Sequence, residues 1–133
     1  MIYIDTGPFL ARFIARDQYH RRAAAAWKKL GERRESCFTS NLVFNETFTL
    51  LARRTRYDFA AGRARLLLSS KALTILRSTG EDEFDAVELF RKFADQGVSF
   101  TDCVSFVLMR KQRLTRAFSF DRHYEQAGFE IWP

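Results

Sequence analysis

The stretch Met1-Ile2-Tyr3-Ile4-Asp5-Thr6-Gly7-Pro8-Phe9-Leu10-Ala11-Arg12-Phe13 decides how the rest of the chain is read. Ile2 to Ile4 is a short β-type run, and Asp5-Thr6-Gly7-Pro8 breaks it. Proline suits the first turn of a helix, and Asp or Thr suits the position that caps one. A short helix is therefore expected from Phe9 to Ala15. A strand handing over to a helix is the pattern that recurs along the chain.

Working outward, a helix is expected from Gln18 to Leu30, through the alanine run Ala23 to Ala26. Cys37 to Thr39 reads as a strand, and Ser40 or Asn41 caps a helix reaching Arg56. After Tyr57-Asp58 another helix runs to Ser70, followed by a strand from Ala72 to Leu76. A helix from the Ser78–Gly80 turn reaches Asp95, where Gly97 closes it. Thr101 opens a helix to Arg113, and Thr115 to Phe120 alternates like a strand. Asp121 begins a short turn or helix ending at Gly128, and Phe129 to Trp132 is a last strand. This alternation predicts an α/β class fold with a parallel sheet covered on both faces.

The length of 133 residues fits one domain, residues 1–133, with an ordinary core. Aromatics make up 15% of the chain and 14 of them are Phe, enough to fill the core and leave some for a partner surface. With 22 basic and 16 acidic side chains the net charge is +6, which favours polyanions as partners. Cys37 and Cys103 are too few and too isolated for a disulfide framework or a zinc site, and read as small buried hydrophobes. The N-terminal segment lacks a basic region and carries Asp5 within its apolar stretch, so it is not read as a signal peptide. No apolar run approaches membrane-spanning length. A cytoplasmic setting without membrane association is expected.

Four acids stand out: Asp5, Glu46, Asp102 and Asp121. Asp5 ends the first strand, where it could equally cap the Pro8 helix. Glu46 shares a helical face with Leu42, Thr49 and Arg53, roughly opposite Val43, Phe44, Leu50 and Leu51, so it points away from the core. The helix after Asp102 is apolar nearly all round and therefore buried. A carboxylate at its entrance is partly dehydrated and needs a partner, either the helix N-terminus or a cation. Asp121 follows the strand Ala117 to Phe120 and has a cap or turn role as its plain explanation. Asp82, Glu83 and Asp85 read as a solvated helix start explained by the helix dipole. In an open α/β sheet, positions just beyond the carboxyl ends of strands converge on one crevice. Clustered acids without a basic partner suit a hard divalent cation.

Four segments carry a resemblance. They are Ile4-Asp5-Thr6-Gly7-Pro8-Phe9, Ser40 to Glu46, Phe100-Thr101-Asp102-Cys103, and Phe118-Ser119-Phe120-Asp121-Arg122-His123-Tyr124. In order and spacing the chain resembles the PIN-domain ribonucleases, and among them the VapC-type toxins of toxin–antitoxin pairs. The resemblance implies a compact α/β/α sandwich with a short parallel sheet (PIN-like). It further implies an Mg²⁺- or Mn²⁺-dependent endoribonuclease that hydrolyses RNA phosphodiester bonds with metal-activated water. The family's catalytic acids fall on Asp5, Glu46, Asp102 and Asp121, with Asp5, Asp102 and Asp121 as metal ligands. Thr6, Thr101 and Ser119 are supporting neighbours. A cognate antitoxin and a homodimer are implied as partners beside the RNA. Gly7 departs from the family, which often has a polar residue there.

Arg12, Arg16 and Arg53 are expected to grip RNA phosphates, and His123 is expected to be structural. A haloacid-dehalogenase-type phosphatase would need a second Asp where Gly7 stands. A response-regulator receiver would need an Asp at the end of the strand finishing Ile75-Leu76-Arg77. The remaining alternative is a non-catalytic PIN-fold module that binds RNA or an antitoxin.

Overall fold

The structure, a computed structural model, describes residues 1–133. Strand β1 (Ile2–Ile4) is wholly buried and passes at once into helix α1 (Thr6–Phe13). The helix begins three residues earlier than the sequence suggests. Its Pro8 sits in the first turn, where a missing N–H costs nothing because those donors have no intrahelical acceptor. Asp5 thus stands at the strand–helix junction itself.

Helix α2 (His20–Glu32) leads to strand β2 (Cys37–Ser40) and helix α3 (Asn41–Arg54), whose N-cap Ser40 accepts a hydrogen bond from the Val43 N–H at 3.1 Å. Helix α4 (Tyr57–Ser69), strand β3 (Leu73–Leu76) and helix α5 (Gly80–Lys92) follow. A 3₁₀ turn (Ala94–Gln96) ends at Gly97, which takes the left-handed conformation at φ 65°. Helix α6 (Phe100–Lys111), strand β4 (Arg116–Phe118), helix α7 (His123–Gln126) and strand β5 (Glu130–Trp132) complete the chain. The expected elements are all present, with ends displaced by a few residues.

The strands form one sheet in the order β3-β2-β1-β4-β5, every neighbouring pair parallel. Seven α-helices flank it, as an α/β/α sandwich requires. Helices α1, α2, α3 and α4 pack among themselves, while α5 packs on α6. Helix α6 is buried from Asp102 to Met109, as its all-round apolar sequence demands. Tyr3 of β1 and Ser105 of α6 tie sheet to helix through a buried 2.6 Å hydrogen bond. Phe106 packs edge-on against Tyr124, with ring centres 5.1 Å apart, and Phe118 packs similarly on Trp132. Cys37 and Cys103 are both free and buried, as expected. No helix is long and apolar enough to cross a membrane.

Asp82 corrects one expectation. It is not a solvated dipole residue but is 2% exposed. Thr79 and Asp82 close a reciprocal capping box, and Lys111 of α6 reaches Asp82 at 2.8 Å. Burial alone would raise the Asp82 carboxyl, but Lys111 and the Thr79 donors outweigh it and hold it below the usual range. Asp82→Ala should therefore lower stability by about 1–2 kcal/mol, the scale of a lost cap and its hydrogen bonds. Urea denaturation of the two proteins at pH 7 measures this; the difference should shrink in acid as the carboxyl protonates.

Candidate active site

The sheet order reverses at β1. From β1 the chain crosses to β2 and then β3, whereas β4 and β5 lie on the other side. Loops leaving the carboxyl ends of β1 and β4 therefore diverge and open a crevice between them. Asp5 follows β1, and Ser119 and Asp121 follow β4. The first turn of α6 supplies Asp102 and a mid-helix turn of α3 supplies Glu46. All four acids line one crevice of about 860 Å³, together with Thr6, Arg122 and His123.

Short hydrogen bonds hold these side chains. Ser119 Oγ donates to Asp5 Oδ2 at 2.7 Å and accepts from the Asp121 N–H at 3.0 Å, linking the two strand ends. Thr6 Oγ1 donates to Glu46 Oε2 at 2.6 Å. The capping explanation fails for Asp5, whose side chain makes no cap bond to α1. It fails for Asp102 too. Ser99 is the N-cap of α6 and accepts from the Asp102 N–H at 3.1 Å, but the Asp102 carboxylate does not bond back. At Asp82 the same spacing closes both halves of the box; at Asp102 only one half forms, and the carboxylate is left to the crevice.

Asp121 keeps part of its plain role as a turn residue, since Oδ1 accepts from the His123 N–H at 2.9 Å. Its Oδ2 lies 3.2 Å from His123 Nδ1, and Asp102 Oδ2 lies 3.4 Å from the same nitrogen. His123 Nε2 lies 3.1 Å from the Gln96 carbonyl oxygen. His123 is the one cation-forming side chain within ion-pair distance of any of the four acids.

Burial pushes the Asp5 carboxyl above the ordinary carboxylate range, against the lowering effect of Ser119; the charge of Asp121 adds to the rise. Asp102 is pushed up to about 7 by burial and then by Asp5 and Asp121, with His123 opposing. The Tyr124 hydroxyl, fully buried, is pushed upward by burial and by the nearby Asp5. These are the marks of an under-compensated negative pocket. Its donors are hard oxygens, so the residues fit a divalent cation. Asp102, Asp121 and His123 offer ligand atoms within 4.8 Å of one another. Asp5, expected as a principal ligand, lies outside that compact group.

Other expectations fare differently. Ser119 and Thr6 bond directly to acids, whereas Thr101 does not line the crevice. None of the three expected RNA-gripping arginines lines it either. The Arg12 guanidinium lies over Trp27, 4.7 Å from the ring centre, beside a separate cavity. Arg16 donates to the Arg54 carbonyl at 2.8 Å, and Arg53 borders an apolar groove between α3 and α4. Proximity in sequence to the site did not carry these side chains into it. Arg122, His123 and Ser99 were missed as lining residues. The Ser99-Phe100-Thr101-Asp102 capping spacing could have found Ser99, and the Asp121–His123 spacing of a local turn could have found His123.

The family model described as the PIN domain matches residues 2–130. The 23S rRNA-specific endonuclease VapC20 of Mycobacterium tuberculosis is 34% identical over 134 residues, spanning 100% of this chain and 99% of its own. The crystal structure of VapC20, a Sarcin-Ricin loop cleaving toxin, superposes with a TM-score of 0.85 at 32% identity, over 97% of this chain and 96% of that one. VapBC2 from Rickettsia felis bound to a DNA fragment superposes with a TM-score of 0.72 at 12% identity, over 99% and 98% of the two chains. FitAcB from Neisseria gonorrhoeae gives 0.71 at 16%, over 100% and 97%. The last two share the fold.

The raised Asp102 carboxyl makes a prediction for the metal-free protein. A folded value near 7 exceeds the unfolded one near 4, so its contribution to stability is present in acid and lost as pH rises through 7. Asn cannot ionise. In EDTA, Asp102→Asn should match the wild type near pH 4 and exceed it by about 1–3 kcal/mol at pH 8. Thermal melts at the two pH values measure the difference.

Proposed function

The chain belongs to the PIN-domain family, and from that premise we propose that it is a metal-dependent endoribonuclease acting as the toxin of a toxin–antitoxin pair. The observation that carries the reading is the convergence of four carboxylates from four segments on one crevice, with no lysine or arginine within ion-pair distance of them and a single imidazole beside them. A fold maintained for binding alone has no use for that repulsion. Identity of 34% along the full length to an endonuclease supports the same activity.

In this reading Asp102, Asp121 and Asp5 hold Mg²⁺ or Mn²⁺, with Glu46 at the edge of the set. When bound, the ion supplies an activated water nucleophile and neutralises charge developing on the phosphate. Every other part is played by the chain. Ser119 fixes Asp5 relative to Asp121, so that two ligands from different strand ends keep one spacing. Thr6 holds Glu46 by its own hydrogen bond. Arg122, exposed on the rim, takes an RNA phosphate, and Arg12, Arg16 and Arg53 contact phosphates beyond the crevice. The net charge of +6 draws the polyanion. The proposal includes a single nuclease domain over residues 1–133, a cytoplasmic setting, a homodimer and an antitoxin that covers the crevice.

Because VapC20 is specific for 23S rRNA, ribosomal RNA is the first substrate to offer. The purified protein should cleave ribosomal RNA at few positions in Mg²⁺ or Mn²⁺ and not in EDTA. Asp5→Asn and Asp121→Asn should each slow cleavage about 100-fold or more, the scale of losing one preorganised electrostatic group. Primer extension on the treated RNA reads both site and rate. Cleavage that persists in EDTA at the wild-type rate would end the metal-dependent reading.

A further inference from the structure

His123 does more than brace the loop after β4. Its Nε2 lies 3.1 Å from the backbone oxygen of Gln96. A carbonyl oxygen only accepts, so Nε2 must carry the N–H. In the neutral ring the other nitrogen, Nδ1, then presents a lone pair. That lone pair faces Asp121 Oδ2 at 3.2 Å and Asp102 Oδ2 at 3.4 Å. Three acceptor atoms turned towards one another within 4.8 Å call for a positive centre among them.

The ring is held in that pose from both ends. Its backbone N–H is anchored on Asp121 Oδ1 at 2.9 Å, in a turn that sets the residue beside the two acids. Gln96 closes the 3₁₀ turn, where Gly97 takes a left-handed conformation and fixes the carbonyl that receives Nε2. A backbone carbonyl on the far nitrogen is the usual device for setting the tautomer of a metal-binding histidine.

On this geometry, and resting on the nuclease reading above, we propose that His123 Nδ1 is a direct ligand of the divalent ion, together with Asp102 and Asp121. The centre is then a mixed nitrogen–oxygen site. Magnesium takes hard oxygen donors and keeps its waters, whereas first-row transition ions accept imidazole. The imidazole therefore adds more to the affinity for a first-row ion such as manganese than to that for magnesium.

The test uses the full chain loaded with Mn²⁺ at less than one equivalent. Electron spin echo envelope modulation should detect a directly bound ¹⁴N in the wild type and lose it in His123→Gln. By calorimetry His123→Gln should weaken Mn²⁺ binding by about tenfold or more, and Mg²⁺ binding by less. If His123→Gln does not fold, the wild-type spectrum decides alone. Mn²⁺ bound without nitrogen coupling would overturn the ligand assignment and leave the nuclease reading standing. No divalent binding by the wild type would overturn both.

Discussion

Asp5 and Asp102 are buried carboxylates within electrostatic reach of each other, at the end of the sheet where β1 and β4 part. Each costs more to ionise because the other is there, and water cannot screen them well. The surroundings answer this constraint. Ser119 donates to Asp5, Asp121 is drawn in by the same hydroxyl, and His123 reaches across to both Asp121 and Asp102. None of these contacts cancels the charge. The pocket keeps an excess that a divalent cation would relieve, and the same excess makes the pocket a local weakness in a fold otherwise well packed around α6.

Two capping sites show how the chain separates structural acids from available ones. Thr79 and Asp82 satisfy each other completely, and Lys111 neutralises what remains. Ser99 and Asp102 have the same spacing, yet Ser99 takes the backbone N–H and the carboxylate gives nothing back. One helix start is sealed for stability. The other has its backbone satisfied by Ser99, which frees the acid for the crevice.

Much of this was readable from the residues. Asp5 follows a three-residue apolar run, so its place at a strand end needs only local pattern. Glu46 could be assigned to the outer face of its helix by phase, whereas Thr6, expected as a neighbour of Asp5, donates to Glu46 instead. Asp102 was marked by the apolar helix behind it. What escaped depended on partners distant in sequence or on side-chain direction. Asp82 looked sufficiently explained by a helix dipole until Lys111, 29 residues later, closed over it. Arg12 lies on the right helix, but its guanidinium rests on Trp27 and does not line the crevice. His123 gained a role because the Gln96 oxygen fixes which nitrogen faces the acids, a contact across 27 positions that no local motif encodes.

The claim at the centre of this account is that the crevice between β1 and β4 holds a divalent cation. Crystals of the full chain grown with manganese, with anomalous diffraction recorded on both sides of the manganese edge, test it most directly. The account predicts a peak within bonding distance of Asp102 and Asp121. A manganese-soaked crystal with those carboxylates ordered and no anomalous density between them would contradict it.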